Sequence, residues 1–105
     1  MLIGYARVST IHQNLDRQLG ALRVAECELV FADKASGKDV KGRPELERII
    51  DALETGDVLV LAEWDRATRS MFDGITIMQR VHARGAAIKV LDRFASRHNT
   101  APLMS

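Results

Sequence analysis

One serine and several arginines occupy positions that an open α/β sheet would bring together. Ser9 follows an apolar, β-prone segment, and Arg7 interrupts that segment with a permanent charge. Arg66 and Arg69 are three residues apart, so on a helical turn they point the same way. A buried guanidinium needs an anionic partner, and a phosphate group would serve. This set of side chains therefore indicates a phosphate group as the ligand.

The chemistry that fits this set is attack on a phosphodiester rather than acyl transfer. Arginine binds the non-bridging oxygens of a phosphate bidentately and stabilises the charge that grows in the transition state. Ser9 would then become a covalent phosphoserine intermediate. An acyl-transfer triad would need a histidine as its base, yet His12, His82 and His98 fall at a helix start, in a later helix and near the carboxyl end.

Each of these residues also has an ordinary structural explanation. A serine at the end of a strand is most often a helix N-cap or a turn residue. Arg66 and Arg69 could form a solvated helix face, where an ion pair contributes little. Tyr5 on a strand is by default a core residue, and Gln13 fits the third position of a capping box. Arg7 is the hardest to explain in this way, because it interrupts an apolar strand. Taken singly, none of these residues supports a functional assignment, so the hypothesis depends on their combination.

Composition and charge limit the class of protein. With 105 residues, 47% hydrophobic and 28% charged, the chain is expected to form one soluble globular domain. A net charge of +1 excludes a generic nucleic-acid-binding tail, so any DNA contact would depend on a few placed arginines. No apolar run approaches the ~20 residues that span a bilayer, and the amino terminus does not resemble a secretory leader. Cys27, the single cysteine, suits a reducing cytoplasm.

The hydrophobic pattern predicts the strands and helices that would position these side chains. It predicts strands at 1–8, 28–32, 58–62 and 86–91, with helices at about 11–25, 43–54 and 71–84 between them. Met71, Ile75, Met78 and His82 lie on one side of the last helix. The β-α-β-α-β-α-β order indicates an α/β fold, a three-layer open and mostly parallel sheet with helices on both faces. Residues 33–42 are predicted to form a mobile polar loop and 93–105 an irregular tail.

In this topology the first and third strands end at the same edge of the sheet, which would bring Ser9 near Asp65, Arg66 and Arg69. Six short motifs occur in this order along the chain: Gly4-Tyr5-Ala6-Arg7-Val8-Ser9-Thr10-x-x-Gln13, Leu15-Asp16-x-Gln18, Asp33-Lys34-Ala35-Ser36-Gly37, Arg43-Pro44-x-Leu46, Gly56-Asp57 and Asp65-Arg66-x-x-Arg69. Over residues 2 to about 92 the set resembles the catalytic domain of serine site-specific recombinases, the resolvase/invertase family.

That resemblance implies a role for each motif residue. Ser9 would be the nucleophile that joins the 5′ phosphate of a cleaved DNA strand and frees a 3′ hydroxyl. The scissile phosphate would be bound by the arginines Arg7, Arg66 and Arg69, with Arg43 reaching it from the mobile loop. Gln18 and Asp65 would organise the arginines, and Asp65 would also take part in proton transfer. Residues at or beside the site would be Tyr5, Gln13 and Asp33.

The resemblance also implies the partners and the compartment. Double-stranded DNA would be the substrate, full-length members would form homodimers and tetramers, and no metal, cofactor or membrane would be needed. The protein would be bacterial, cytoplasmic and nucleoid-associated. Two features depart from the family pattern: Ala67-Thr68 stands where Leu-Gly is common, and residues 93–105 do not resemble the dimerisation helix and helix-turn-helix domain that follow in the family.

These departures lead to the expectation of a catalytic domain at 1–92 that folds but does not recombine DNA by itself. One alternative is a non-catalytic fragment that pairs with a full-length relative. Another is a flavodoxin-like domain that binds a phosphate-containing ligand. That alternative predicts a loop rich in glycine, serine or threonine after the first strand. Residues 9–13 read Ser-Thr-Ile-His-Gln, with no glycine, and so argue against it.

Overall fold

The computed structural model describes residues 1–8, 15–34 and 42–91 as a parallel β-sheet flanked by helices. In the order β2-β1-β3-β4 the strands are β1 (Leu2–Val8), β2 (Leu29–Lys34), β3 (Val58–Leu61) and β4 (Ala87–Val90). The helices are α1 (Leu15–Val24), α2 (Pro44–Ala52), α3 (Trp64–Ala67) and α4 (Met71–Ala83). The α/β class and the parallel sheet are confirmed. Across the described ranges no helix is long and apolar enough to cross a membrane.

Both faces of the sheet are covered, which explains the uninterrupted apolar sequence of β3. On one face Tyr5, Leu59 and Leu61 belong to a core that also includes buried residues of α2 and α4. On the opposite face Ala6 and Val60 pack in a smaller core that includes α1. Because successive strand residues alternate between faces, the odd-numbered residues of β1 face α2 and α4. Arg7 therefore lies on the same face as Tyr5.

Two differences from the predicted elements affect residues of the site. β2 extends to Lys34, so Asp33 belongs to a strand and not to the polar loop predicted to begin there. The short helix α3 was not predicted, because four residues carry too little periodicity to be recognised. Pro44 is the first residue of α2, as predicted for a proline at a helix start. The predicted tail, 93–105, lies outside the described residues.

The predicted apolar side of α4 faces away from the core. The buried residues of the helix are Gly74, Ile77 and Val81. Two residues of the predicted side, Met71 and Ile75, are instead 79% and 40% exposed. The stripe that the sequence pattern picked out is thus largely a surface feature in this chain.

The burial of Gly74 is explained by the indole of Trp64. A Cβ atom placed on Gly74 would lie 2.4 Å from Cζ2 of Trp64, closer than any real contact. Glycine inside a helix normally costs about 0.5–1 kcal/mol relative to alanine. The missing side chain lets α4 approach α3, and this packing gain offsets the loss of helix propensity.

We predict that Gly74→Ala lowers the free energy of unfolding by about 1–3 kcal/mol, because the methyl group overpacks against Trp64. Gly20→Ala in α1 is the matched control. Nothing lies within 4 Å of its added Cβ, so that change should stabilise the chain by about 0.5–1 kcal/mol. Urea unfolding of both variants measures the difference. A Gly74→Ala variant that gains as much stability as Gly20→Ala would contradict this packing.

Candidate active site

The site is built where β3 ends before β1 does. Tyr5 pairs with Leu61, the last residue of β3, whereas β1 continues in register with β2 as far as Val8. Arg7 therefore projects past the end of β3, at the level where the chain turns into α3. The parallel topology thus brings the ends of the first and third strands to one edge, as predicted from the sequence.

Gln18 of α1 takes the place of the missing strand beside Arg7. The backbone N–H of Arg7 donates to Oε1 of Gln18 at 3.3 Å, and Nε2 of Gln18 donates to the Arg7 carbonyl at 3.2 Å. Backbone polar groups inside a protein need such partners, and β3 does not reach far enough to supply them. The carboxamide is only 1% exposed. Gln18 therefore completes the hydrogen bonding of the Arg7 backbone.

The carboxyl end of α3 receives guanidinium groups from two other elements. Nη1 of Arg7 donates to the Arg66 carbonyl at 3.4 Å, and Nη1 of Arg43 donates to the Ala67 carbonyl at 3.0 Å. The last carbonyls of a helix lack partners within the helix and accept such hydrogen bonds readily. Three arginines that are distant in sequence are thereby gathered around one short segment.

Asp73, in the first turn of α4, holds Arg43 and touches Arg69. Arg43 donates bidentately, from Nη1 to Oδ2 at 2.6 Å and from Nη2 to Oδ1 at 2.9 Å. The backbone N–H of Arg69 donates to Oδ2 at 2.9 Å. Burial would raise the pKa of the Asp73 carboxyl, but the hydrogen bonds from Arg43 and Arg69 outweigh it and hold the pKa below its usual range. Sequence reasoning missed Asp73, although its spacing four residues after Arg69 was visible.

The four predicted arginines differ in how far a ligand could reach them. The side chains of Arg66 and Arg69 are 49% and 44% exposed, whereas that of Arg43 is 6% exposed. Arg66 lies 3.7 Å from the carboxylate of Glu63. Asp65 is exposed, and no ion pair links it to Arg66 in the part of the chain that the structure describes. Arg43 is thus committed to protein partners, while Arg66 and Arg69 face solvent.

Tyr5 and Asp33 form a buried pair behind this cluster. The Tyr5 hydroxyl donates to Oδ2 of Asp33 at 2.8 Å. Asp33 also accepts the backbone N–H groups of Glu45 at 3.1 Å and of Leu46 at 3.3 Å. It therefore caps α2 from a neighbouring strand, because the side chain of Arg43, the N-cap residue, does not. The pair fixes the start of α2, and with it the position of Arg43.

Ser9 and Gln13, the other two predicted site residues, lie outside the described residues, as do residues 35–41 of the predicted loop. Ser9 directly follows Val8, the last residue of β1. Over the ranges that are described, no group of histidine, cysteine, aspartate and glutamate could hold a metal ion.

We predict that Tyr5, the single tyrosine of the chain, does not ionise while the chain is folded. Burial and the hydrogen bond to Asp33 raise its pKa far above the ordinary value of 10.0. The folded state binds the proton of the Tyr5 hydroxyl more tightly than the unfolded state does. The contribution of Tyr5 to the stability of the fold is therefore complete below about pH 10 and is lost as the pH rises further. Near-ultraviolet titration of tyrosinate measures this, with the chain in denaturant as control. A folded chain that titrates like the denatured one would contradict the buried pair.

Comparison with known proteins identifies a family for the chain. The family model described as the N-terminal domain of resolvase matches residues 2–104. The Transposon Tn21 resolvase of Escherichia coli is 45% identical over 94 residues, which cover 90% of this chain and 48% of the relative. The serine recombinase gin of Escherichia phage Mu is 45% identical over 91 residues, covering 87% and 47%.

The DNA-invertase hin of Salmonella typhimurium is 44% identical over 84 residues, covering 80% of this chain and 44% of the relative. The chain therefore spans about half the length of the curated relatives that it matches. The family model covers nearly all of the chain, including every residue of the site described above. The chain belongs to the resolvase N-terminal domain family of serine recombinases.

Proposed function

We propose that this chain supplies the catalytic half of a serine recombinase, which cuts and rejoins double-stranded DNA through a 5′-phosphoserine at Ser9. The observation that carries the proposal is the convergence of Arg7, Arg66 and Arg69 at the edge of the sheet where β1 ends. Family membership supports it, because the relatives are invertases, resolvases and serine recombinases.

The proposed reaction is a transesterification that conserves the energy of the phosphodiester bond. Oγ of Ser9 attacks phosphorus, the bond from phosphorus to the 3′ oxygen breaks, and the released 3′ oxygen takes up a proton. The serine proton passes to a base or to water, with Asp65 at the start of α3 as the proposed carboxylate. Rejoining reverses these steps when a 3′ hydroxyl attacks the phosphoserine. No bond energy is lost to hydrolysis, so no nucleotide cofactor would be needed.

In this proposal the arginines stabilise the charge on the non-bridging phosphate oxygens as the pentavalent transition state forms. Arg66 and Arg69 contact the phosphate directly, since their side chains are half exposed. Arg7 approaches it from β1, held in place by Gln18. Removal of one preorganised donor of this kind typically costs about 2.7–4 kcal/mol of transition-state stabilisation.

We also propose that the 105 residues by themselves do not complete strand exchange, since the matched relatives are about twice as long. The DNA would be delivered with the help of further protein, either from the same polypeptide or from a partner. A chain that only paired with a full-length relative would have no use for a cluster of arginines held beside a strand end. The arrangement of the arginines therefore favours a catalytic domain over a non-catalytic fragment that only pairs with a full-length relative.

A second copy of the chain is the partner proposed for the exposed side of α4. Met71, Phe72 and Ile75 are 79%, 84% and 40% exposed there, and large apolar side chains concentrated on one helix commonly mark an interface. The family resemblance implies dimers and tetramers. Because the apolar patch is small, we expect association of this chain to be weak.

We predict that a chimera joining residues 1–91 to the carboxyl-terminal half of the Tn21 resolvase forms a covalent complex with DNA carrying that resolvase's recombination site. Ser9→Ala should abolish the complex without loss of folding, because the nucleophile is removed at a strand end. Arg66→Gln or Arg69→Gln should slow it by about 10²–10³-fold. Electrophoresis under denaturing conditions and mass spectrometry of the linked peptide measure the complex.

Arg48→Gln is the matched control for the arginine variants. Its side chain is 73% exposed and, among the residues that the structure describes, pairs with Glu45 of the same helix alone, so the rate of complex formation should not change. If Ser9→Ala keeps a covalent complex, the assigned nucleophile is wrong. If Arg48→Gln is as slow as Arg66→Gln, the arginines act through total charge and not through a built site.

Phe72→Glu should shift any self-association of the chain towards the monomer, because it places a charge in the apolar patch. Sedimentation velocity over a range of concentrations measures this. Val24→Glu is the control, since Val24 is equally exposed at 84% but lies on α1. Equal effects of the two changes would contradict an interface on α4.

A further inference from the structure

Asp73 is the charged side chain that links the buried and the exposed arginines of the cluster. Its carboxylate is 13% exposed and accepts three hydrogen bonds, two from Arg43 and one from the backbone of Arg69. The Arg69 guanidinium also lies near it, with Nη2 3.6 Å from Oδ1. Its own backbone is fixed as well, since the N–H of Asp73 donates to Oγ of Ser70, the N-cap of α4.

Arg43 is the counter-charge that holds the carboxylate in one orientation. Both Nη atoms of Arg43 bind Asp73, and Nη1 also binds the Ala67 carbonyl. A planar guanidinium that binds a carboxylate bidentately fixes its plane as well as its distance. Arg43 is therefore occupied by protein groups, and little of it remains for a ligand.

Arg69, unlike Arg43, has a guanidinium that remains accessible to a ligand. Its backbone is tied to the fixed carboxylate, but its side chain is 44% exposed and its guanidinium is only loosely paired at 3.6 Å. Backbone anchoring limits the positions that the guanidinium can reach, and the attraction of the carboxylate on one side restricts them further. An arginine restrained in this way loses less conformational freedom when it binds an anion.

We propose that Asp73 is a positioning residue that, itself fixed by Arg43, presents Arg69 to the phosphodiester. This inference rests on the proposed function and extends it, because it gives Arg43 an indirect role through Asp73. A sequestering role for Asp73 is the opposite possibility, in which the carboxylate competes with phosphate for the arginines. The loose 3.6 Å contact with Arg69 favours positioning, since a competitor would bind that guanidinium closely.

The decisive variant is Asp73→Glu, which keeps the net charge but moves the carboxylate by one methylene. The probe is dimethyl phosphate, the simplest phosphodiester, added to the isotope-labelled 105-residue chain at constant ionic strength. NMR of the arginine Nε–Hε groups reports binding and identifies which arginines respond. We expect Asp73→Glu to require about tenfold more dimethyl phosphate for half-maximal change, the loss expected for one charge-assisted hydrogen bond.

Glu47→Asp is the matched control. Glu47 also binds an arginine bidentately, at 2.7 and 3.1 Å, but its partner Arg80 lies outside the cluster. This change should alter the affinity by less than about twofold, as expected for an exposed pair. A role of Asp73 in stability alone would lower the melting temperature yet leave the affinity of the folded chain unchanged, and that result would overturn the inference.

Asp73→Asn provides a second test should Asp73→Glu fail to fold. It removes one negative charge, so electrostatics alone, or a sequestering role, predicts tighter binding of dimethyl phosphate. The positioning role predicts weaker binding in spite of the added positive charge. If the unaltered chain shows no response of Arg66 or Arg69, the proposed phosphodiester site is itself wrong. If it responds and both Asp73 variants bind equally well or better, only the role of Asp73 is refuted.

Discussion

The mutual repulsion of several guanidinium groups is the constraint that shapes this end of the sheet. Like charges repel one another, and the repulsion is stronger near a protein surface than in bulk water. The fold offsets this with groups of opposite polarity: Arg7 and Arg43 donate to the carbonyls that end α3, and Arg43 also binds the carboxylate of Asp73. The cluster is thus held together by groups of the protein itself, with Arg66 and Arg69 left facing solvent.

Much of this arrangement follows from sequence patterns with strong physical causes. Apolar runs and helical periodicity give the order of elements, and parallel connections place the carboxyl ends of β1 and β3 at one edge. The parallel arrangement of β1 and β3 alone predicts that Arg7 lies close to Arg66 and Arg69. Tyr5 is buried, as its position in an apolar strand predicts. Family resemblance then adds the chemical roles, which periodicity cannot supply.

The features that escaped prediction depend on single contacts across the fold. Asp73 reads as an ordinary acidic residue in the first turn of a helix, and only the arrival of Arg43 from another element gives it a further role. Arg43 follows a polar loop, from which it was expected to reach a phosphate, yet it is buried and bound by protein groups. The inward side of α4 includes Gly74, whose fit against Trp64 could not be read from a pattern of large apolar residues.

The central claim is that the arginines at the end of β1 and around α3 bind a DNA phosphate next to Ser9. The most direct measurement is a crystal structure of the Ser9→Ala variant, as the chimera with the Tn21 resolvase, bound to its recombination site. The account predicts that one backbone phosphate lies within hydrogen-bonding distance of Arg7, Arg66 and Arg69, beside residue 9. A complex in which the DNA backbone lies elsewhere on the domain and these arginines contact no phosphate would contradict it.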